Sequence, residues 1–182
     1  MTRRVIEAAT PACAAAAPEL GWSLWQGRLD EYPVSSLLAL EAVQAARRQS
    51  EAAAEELDLA LRTALFAKSR CITLRHEILA AARSCPFLDP DQLAVDLDAG
   101  VSRAAVMRQA RAARDGAAHC SGSVVMPDGV GYCNPGIDVR WLRPSMPRGV
   151  AVVGKDDPTA FRNLVRPSRR SCRGERAAHV LR

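Results

Sequence analysis

Residues 87–116 read FLDPDQLAVDLDAGVSRAAVMRQARAARDG, and this stretch contains the signals that decide the fold. Asp89 is followed by a proline, an acidic residue and Gln92, an order typical of a capped helix start. Pro90 is then the first helical residue. The helix is predicted to end near Asp98, because a glycine follows it closely.

A second helix is predicted directly after the first. Gly100 supplies the left-handed backbone that a helix end prefers, and Ser102 can then act as the N-cap of the next helix. Val106, Ala110 and Ala113 form a stripe that would face the first helix. The remaining surface carries four arginines, and only one aspartate opposes them. Two short helices joined by a tight glycine turn form a helix-turn-helix motif.

The stretch resembles the helix-turn-helix regulators of bacteria, in particular the winged-helix proteins, whose motif commonly reads L-A-x-x-L-G-V-S-R-x-x-V. The matching residues are Leu93, Ala94, Leu97, Gly100, Val101, Ser102, Arg103 and Val106. One departure is that Asp98 and Ala99 lengthen the turn by two residues relative to that form. The resemblance covers residues 73–135 and leaves the preceding third of the chain without a counterpart.

The same resemblance implies a trihelical core with a wing. A helix capped by Thr73 would precede the motif. The runs Val124–Met126 and Val130–Cys133, on either side of a turn at Pro127–Gly129, would form a short β-hairpin wing. The expected fold is therefore mainly α, with an N-terminal helical extension and a disordered basic C-terminal tail.

In winged-helix proteins the second helix reads bases in the major groove, and the wing touches phosphates. The residues that the resemblance places at DNA are Ser102, Arg103, Ala104, Met107, Arg108, Arg111 and Arg114. Arg108 and Arg114 would contact phosphates, Ala104 would contact a thymine methyl group, and the other four would face the groove. A solvated charged face without a ligand is the alternative, and the aspartates of the first helix would repel a nearby DNA backbone.

The charge of the chain is unevenly distributed. The net charge is +5 and the pI about 9.1, values that permit a polyanionic partner without requiring one. Residues 117–182 hold 11 basic and 5 acidic side chains, so the excess lies in the last third. Only Lys68 and Lys155 are lysine; the other 23 basic residues are arginine, which suits phosphate and guanine contacts but also accumulates with alanine in GC-rich genomes.

Four segments are predicted along the chain. Residues 1–33 are expected to form a loose arm whose tryptophans clasp the main domain, and residues 34–70 a long helix or helical pair through which a homodimer could form. Residues 71–143 would be the winged-helix-like domain, and 144–182 an irregular, disordered basic tail. No apolar run is long enough to span a membrane, so no membrane partner is expected.

The sequence offers only incomplete matches to catalytic and metal-binding motifs. GVAVVGKD at Gly149–Asp156 fits a phosphate-loop pattern but ends in an acid instead of Ser or Thr, and its valines are typical of a strand. His76, His119 and the six cysteines include no pair at zinc-ligand spacing and no C-x-x-C. We therefore expect no enzyme activity, no cofactor and no metal, and a cytoplasmic location with reduced thiols.

These observations favour a sequence-specific DNA-binding protein that binds double-stranded DNA, either a transcriptional regulator or an accessory factor of a mobile element. The alternative is a helical protein–protein interaction module with no nucleic-acid role. A third possibility is that the alanine and arginine richness marks a reading frame with no selected function.

Overall fold

The computed structural model describes residues 3–116 and, beyond them, the backbone of four short strands. The described chain is mainly helical, which confirms the predicted fold class at that level. Its α-helices are α1 (Arg3–Ala16), α2 (Leu37–Gln49), α3 (Glu51–Phe66), α4 (Arg75–Ala82), α5 (Pro90–Asp98) and α6 (Arg103–Asp115). Single 3-10 turns lie at Pro18–Leu20 and Leu29–Glu31.

The segment predicted as a long helix or a helical pair is a pair. Ser50 separates α2 from α3 because its backbone is extended, and its hydroxyl accepts a hydrogen bond from the Ala53 amide at 3.0 Å, which caps α3. The two helices pack through buried alanines, whose small side chains let the backbones approach closely. These alanines are Ala42, Ala45, Ala46, Ala53 and Ala54.

Helices α4 and α5 close the core over this pair. Their buried side chains meet the α3 leucines in one cluster that includes Leu57, Leu61, Ile78, Leu79, Leu88, Leu93 and Leu97. The predicted cap of α4 is wrong, because Leu74 occupies the N-cap position and the Thr73 hydroxyl instead donates to the carbonyl of Ser35 at 3.0 Å. Thr73 therefore ties the start of α4 to the segment before α2.

The description of residues 1–33 as a loose arm is also wrong. Residues Arg3–Ala16 form α1, because alanine has the highest helix propensity and an Arg3–Glu7 ion pair of 2.7 Å spans its first turn. The segment after α1 is attached to α3: the ring of Trp22 packs on Phe66 with centroids 4.8 Å apart, and the Ser23 amide donates to the Phe66 carbonyl at 2.9 Å. The expected tryptophan clasp is present at Trp22.

Four strands lie after α6. Ser123–Val125 (β1) pairs antiparallel with Gly131–Cys133 (β2), and Ile137–Leu142 (β3) pairs antiparallel with Val150–Lys155 (β4). The β3–β4 pair spans the predicted boundary at 143/144. The predicted Pro127–Gly129 turn, the ligand candidates His119 and Cys120, and residues 156–182 of the tail lie outside the described residues.

Candidate nucleic-acid interface

The start of α5 is fixed by two separate sets of hydrogen bonds. The Asp89 carboxylate accepts from the amides of Asp91 and Gln92, at 2.9 and 3.0 Å, as the capping pattern predicts. The reciprocal bond, from the Asp89 amide to the Gln92 side-chain oxygen, is absent, and the Gln92 side chain instead donates to Asp96. Its place is taken by Gln49 at the end of α2, which accepts from the Asp89 amide at 2.8 Å and donates to the Asp89 carbonyl at 3.1 Å.

The turn between α5 and α6 follows the sequence prediction in its backbone. Gly100 has a φ of +61°, the left-handed conformation that ends α5. Ser102 occupies the N-cap position of α6, but its hydroxyl makes no capping bond. The side chain is buried and its oxygen lacks a hydrogen-bond partner among the described residues. Ser102 therefore lies against the bundle and does not face solvent.

The first turn of α6 is held by α2. The Arg103 guanidinium donates from Nε to Glu41 Oε1 at 2.7 Å and from Nη2 to Glu41 Oε2 at 3.4 Å. The hydrogen bond from this guanidinium to the carboxylate raises the pKa of Arg103. Two turns further along, the side-chain amide of Gln109 donates to Gln44 on α2 at 3.2 Å.

This packing differs from the predicted helix-turn-helix arrangement. Val106 is buried, but Ala110 and Ala113, which were expected to face α5, are exposed. Alanine buries little apolar area, so a stripe of alanines gives α6 only a weak preference for packing along α5. The ion pair with the buried Glu41 instead directs the start of α6 to α2.

The side of α6 opposite Val106 forms a continuous exposed stripe, which we call the outward face. It consists of Ala104, Met107, Arg108 and Arg111, spaced at helical intervals of three and four residues. Arg114 lies at its edge. Every residue from Met107 to Gly116 is exposed, so α6 extends past the part of the bundle that holds its first turn.

The charges on and around the outward face favour an anionic partner. Among the described ion pairs, none involves Arg108, Arg111 or Arg114. Arg48, also exposed and outside these pairs, lies on the same side of α2 as Glu41 and Gln44, two turns after Glu41 and one turn after Gln44. It extends the basic surface toward the end of α2.

One acidic side chain of α5 is neutralised by a neighbour. Asp98 forms a bidentate ion pair with Arg75, with both contacts at 2.8 Å, whereas Asp96 accepts a hydrogen bond from the uncharged Gln92 amide at 2.9 Å and keeps its charge. Only part of the acidic charge that the sequence places beside the second helix is therefore free to repel an anion.

The structure thus separates the seven predicted DNA-contact residues into two groups. Five lie on or beside the outward face: Ala104, Met107, Arg108, Arg111 and Arg114. Ser102 and Arg103 are turned toward the bundle. Sequence reasoning missed Glu41 and Arg48, although their spacing of seven residues along one predicted helix indicates that they share a face.

Other chemistry-bearing groups do not assemble into a second site in the described part of the chain. Residues 3–116 contain no cluster of three or more His, Cys, Asp or Glu side chains suited to a metal ion. Burial raises the pKa of the Cys85 thiol, and the nearby Glu56 carboxylate adds to the increase, so Cys85 stays protonated. Within the described residues, every helix is too short or too polar to cross a membrane.

No family model, curated protein or solved structure matches this chain.

Proposed function

We propose that this chain binds double-stranded DNA through the outward face of α6, in a sequence-specific manner, as a transcriptional regulator or an accessory factor of a mobile element. One observation carries the proposal: α6 extends past its anchor with three arginines that have no partner in the described structure. An α-helix about 10–12 Å in diameter fits the major groove, which is about 12 Å wide.

The positions of the side chains suggest a division of roles. Met107 and Arg111 lie near the centre of the outward face, where they can reach base edges, and Arg111 can bind guanine with two hydrogen bonds. Arg108 and Arg114 lie nearer its margins, where phosphates would flank an inserted helix. Arg48 is a further candidate for a phosphate contact. Arg103 positions α6 through Glu41 and is not assigned to base readout.

The test is fluorescence anisotropy of the full chain with random-sequence and selected duplexes over a range of salt concentrations. Arg111→Ala should cost about 1–3 kcal/mol on the preferred site and relax its sequence. Arg108→Ala should weaken all duplexes alike and reduce the slope of log affinity against log salt by about 0.9.

Arg83→Ala is the matched control, because Arg83 is an exposed arginine at the end of α4 with no ion pair among the described residues. It removes the same charge elsewhere and should leave affinity and slope unchanged. A full chain that binds no duplex at low salt would overturn the proposal. Equal effects of the Arg83 and Arg108 changes would show only nonspecific charge attraction.

A second candidate is a helical protein–protein interaction module. It is favoured by the side chain of Met107, which is 42% exposed and lies beside Ala104 on the outward face. Such a surface would bind a protein partner through apolar contacts, with little dependence on salt. A weak salt dependence together with loss of partner binding in Met107→Ala would distinguish this function from DNA binding.

A further inference from the structure

A second surface lies between α2 and α3, and we call it the α2–α3 groove. The lining residues are Ser36, which precedes α2, Ala39, Leu40 and Val43 from α2, and Asp58, Leu61, Arg62, Leu65 and Phe66 from α3. Phe66 and Ile72 close one end. The groove encloses about 160 Å³, similar to the cavities of about 150 Å³ that accept a benzene-sized group.

The groove is lined mostly by apolar side chains and has an apolar side chain exposed at its edge. Leu40 is 50% exposed, although it lies beside the seam between α2 and α3. A hole and a protruding leucine on the same surface are the two halves of a self-complementary contact. In a symmetric dimer each leucine could enter the groove of the other copy.

The charged side chains at the rim of the groove are self-complementary as well. Asp58 and Arg62 lie one turn apart on α3, and their 2.7 Å ion pair leaves both side chains about half exposed, at 43% and 55%. When two copies of α3 pair antiparallel about a two-fold axis that passes level with residue 60, Asp58 of one copy faces Arg62 of the other. A dimer with this register would combine the apolar contact with the charge contact.

We infer that this chain forms a symmetric homodimer through the α2–α3 groove. The 13 residues of α2 and the 16 of α3 span about 20 and 24 Å, and the two helices together are about 20 Å wide. Such a face would bury roughly 400 Å² per copy, so about 800 Å² in total, which is below the area of stable interfaces and fits a weak, transient dimer. The dimer should be weak, with a Kd on the order of micromolar.

The dimer is tested without DNA, by analytical ultracentrifugation of the full chain from about 1 to 100 µM. The wild-type chain should sediment as a reversible monomer–dimer mixture. Asp58→Arg opposes Arg to Arg across the axis, and Arg62→Asp opposes Asp to Asp, so each variant alone should dimerise at least about tenfold more weakly.

Mixing the two charge variants gives the decisive result. In the mixed pair each arginine again faces an aspartate, so equimolar Asp58→Arg and Arg62→Asp should recover dimerisation that neither shows alone. A wild-type chain that is monomeric throughout the range, or a mixture of folded variants that stays monomeric, overturns the inference. Circular dichroism checks that each variant is folded.

A leucine pair gives an independent readout if a charge variant unfolds. Leu40→Asp places a charge in the groove and should abolish dimerisation. Leu59→Asp is its control, since Leu59 is 56% exposed and lies outside the groove, on the side of α3 that faces α4. Equal loss of dimerisation in both variants would show that self-association is nonspecific and would overturn the inference. Because the assay contains no DNA, its failure leaves the proposed function untouched.

Discussion

Arg103→Ala and Glu41→Met remove the two sides of one ion pair, and the structure predicts very different costs for them. The side chain of Glu41 is only 2% exposed, whereas that of Arg103 is 62% exposed. Truncating Arg103 leaves a carboxylate inside the bundle without its counter-charge. Replacing Glu41 puts an apolar side chain of similar length into a buried position and frees a guanidinium that water can solvate.

The difference in burial between Glu41 and Arg103 determines how much stability each substitution costs. Because Arg103 is itself largely exposed, the cost comes from the buried Glu41 carboxylate, which loses its hydrogen-bond partner at about 1–3 kcal/mol. For a domain of this size that cost lowers the melting temperature by up to roughly 10–15 °C. Replacing the carboxylate by methionine should change the free energy of unfolding by less than about 1 kcal/mol, because apolar replacements of buried pairs are often neutral.

The double variant Glu41→Met/Arg103→Ala tests whether the unpaired carboxylate causes the loss of stability. It removes the carboxylate that the single arginine variant leaves unpaired, so its melting temperature should return close to that of the wild type. Thermal unfolding followed by circular dichroism measures all three variants. If the Arg103→Ala variant melts like the wild type, the ion pair is solvated. If the double variant is as unstable as Arg103→Ala, the cost does not come from an unpaired Glu41 carboxylate and the reasoning is refuted.

Two further predictions concern the turn and the helix start beside it. Asp89→Ala should cost about 1 kcal/mol because two amides lose their acceptor, whereas Asp89→Asn should retain most of the cap; equal melting temperatures for the two variants would contradict the capping geometry. Gly100→Ala should cost about 1–2 kcal/mol through backbone strain alone, because its φ is +61° and an added Cβ meets no atom within 4 Å; an unchanged melting temperature would mean that the turn does not have this backbone.

The ends of the helices were predictable because they depend on neighbours in the chain. Asp89 caps α5 through amides two and three residues away, and Gly100 ends it through its own backbone freedom. The position of Ser102 before α6 was likewise predicted from local order alone. In contrast, α1 was missed, because residues 1–33 were expected to form a loose arm although their alanine-rich run favours a helix.

Part of the outward face was predictable because helical spacing, too, depends only on residues close together in the chain. Helical spacing places Met107, Arg108 and Arg111 on one side of α6 whichever neighbour the helix packs against. Which side faces the protein depends on partners distant in sequence, and a stripe of alanines expresses little preference. The sequence therefore determined that this segment is an exposed, arginine-rich helix after a glycine turn. Only the tertiary structure decided that α6 rests on α2, because the contact is made by Glu41, 62 residues before Arg103, through a buried charge that no local pattern reveals.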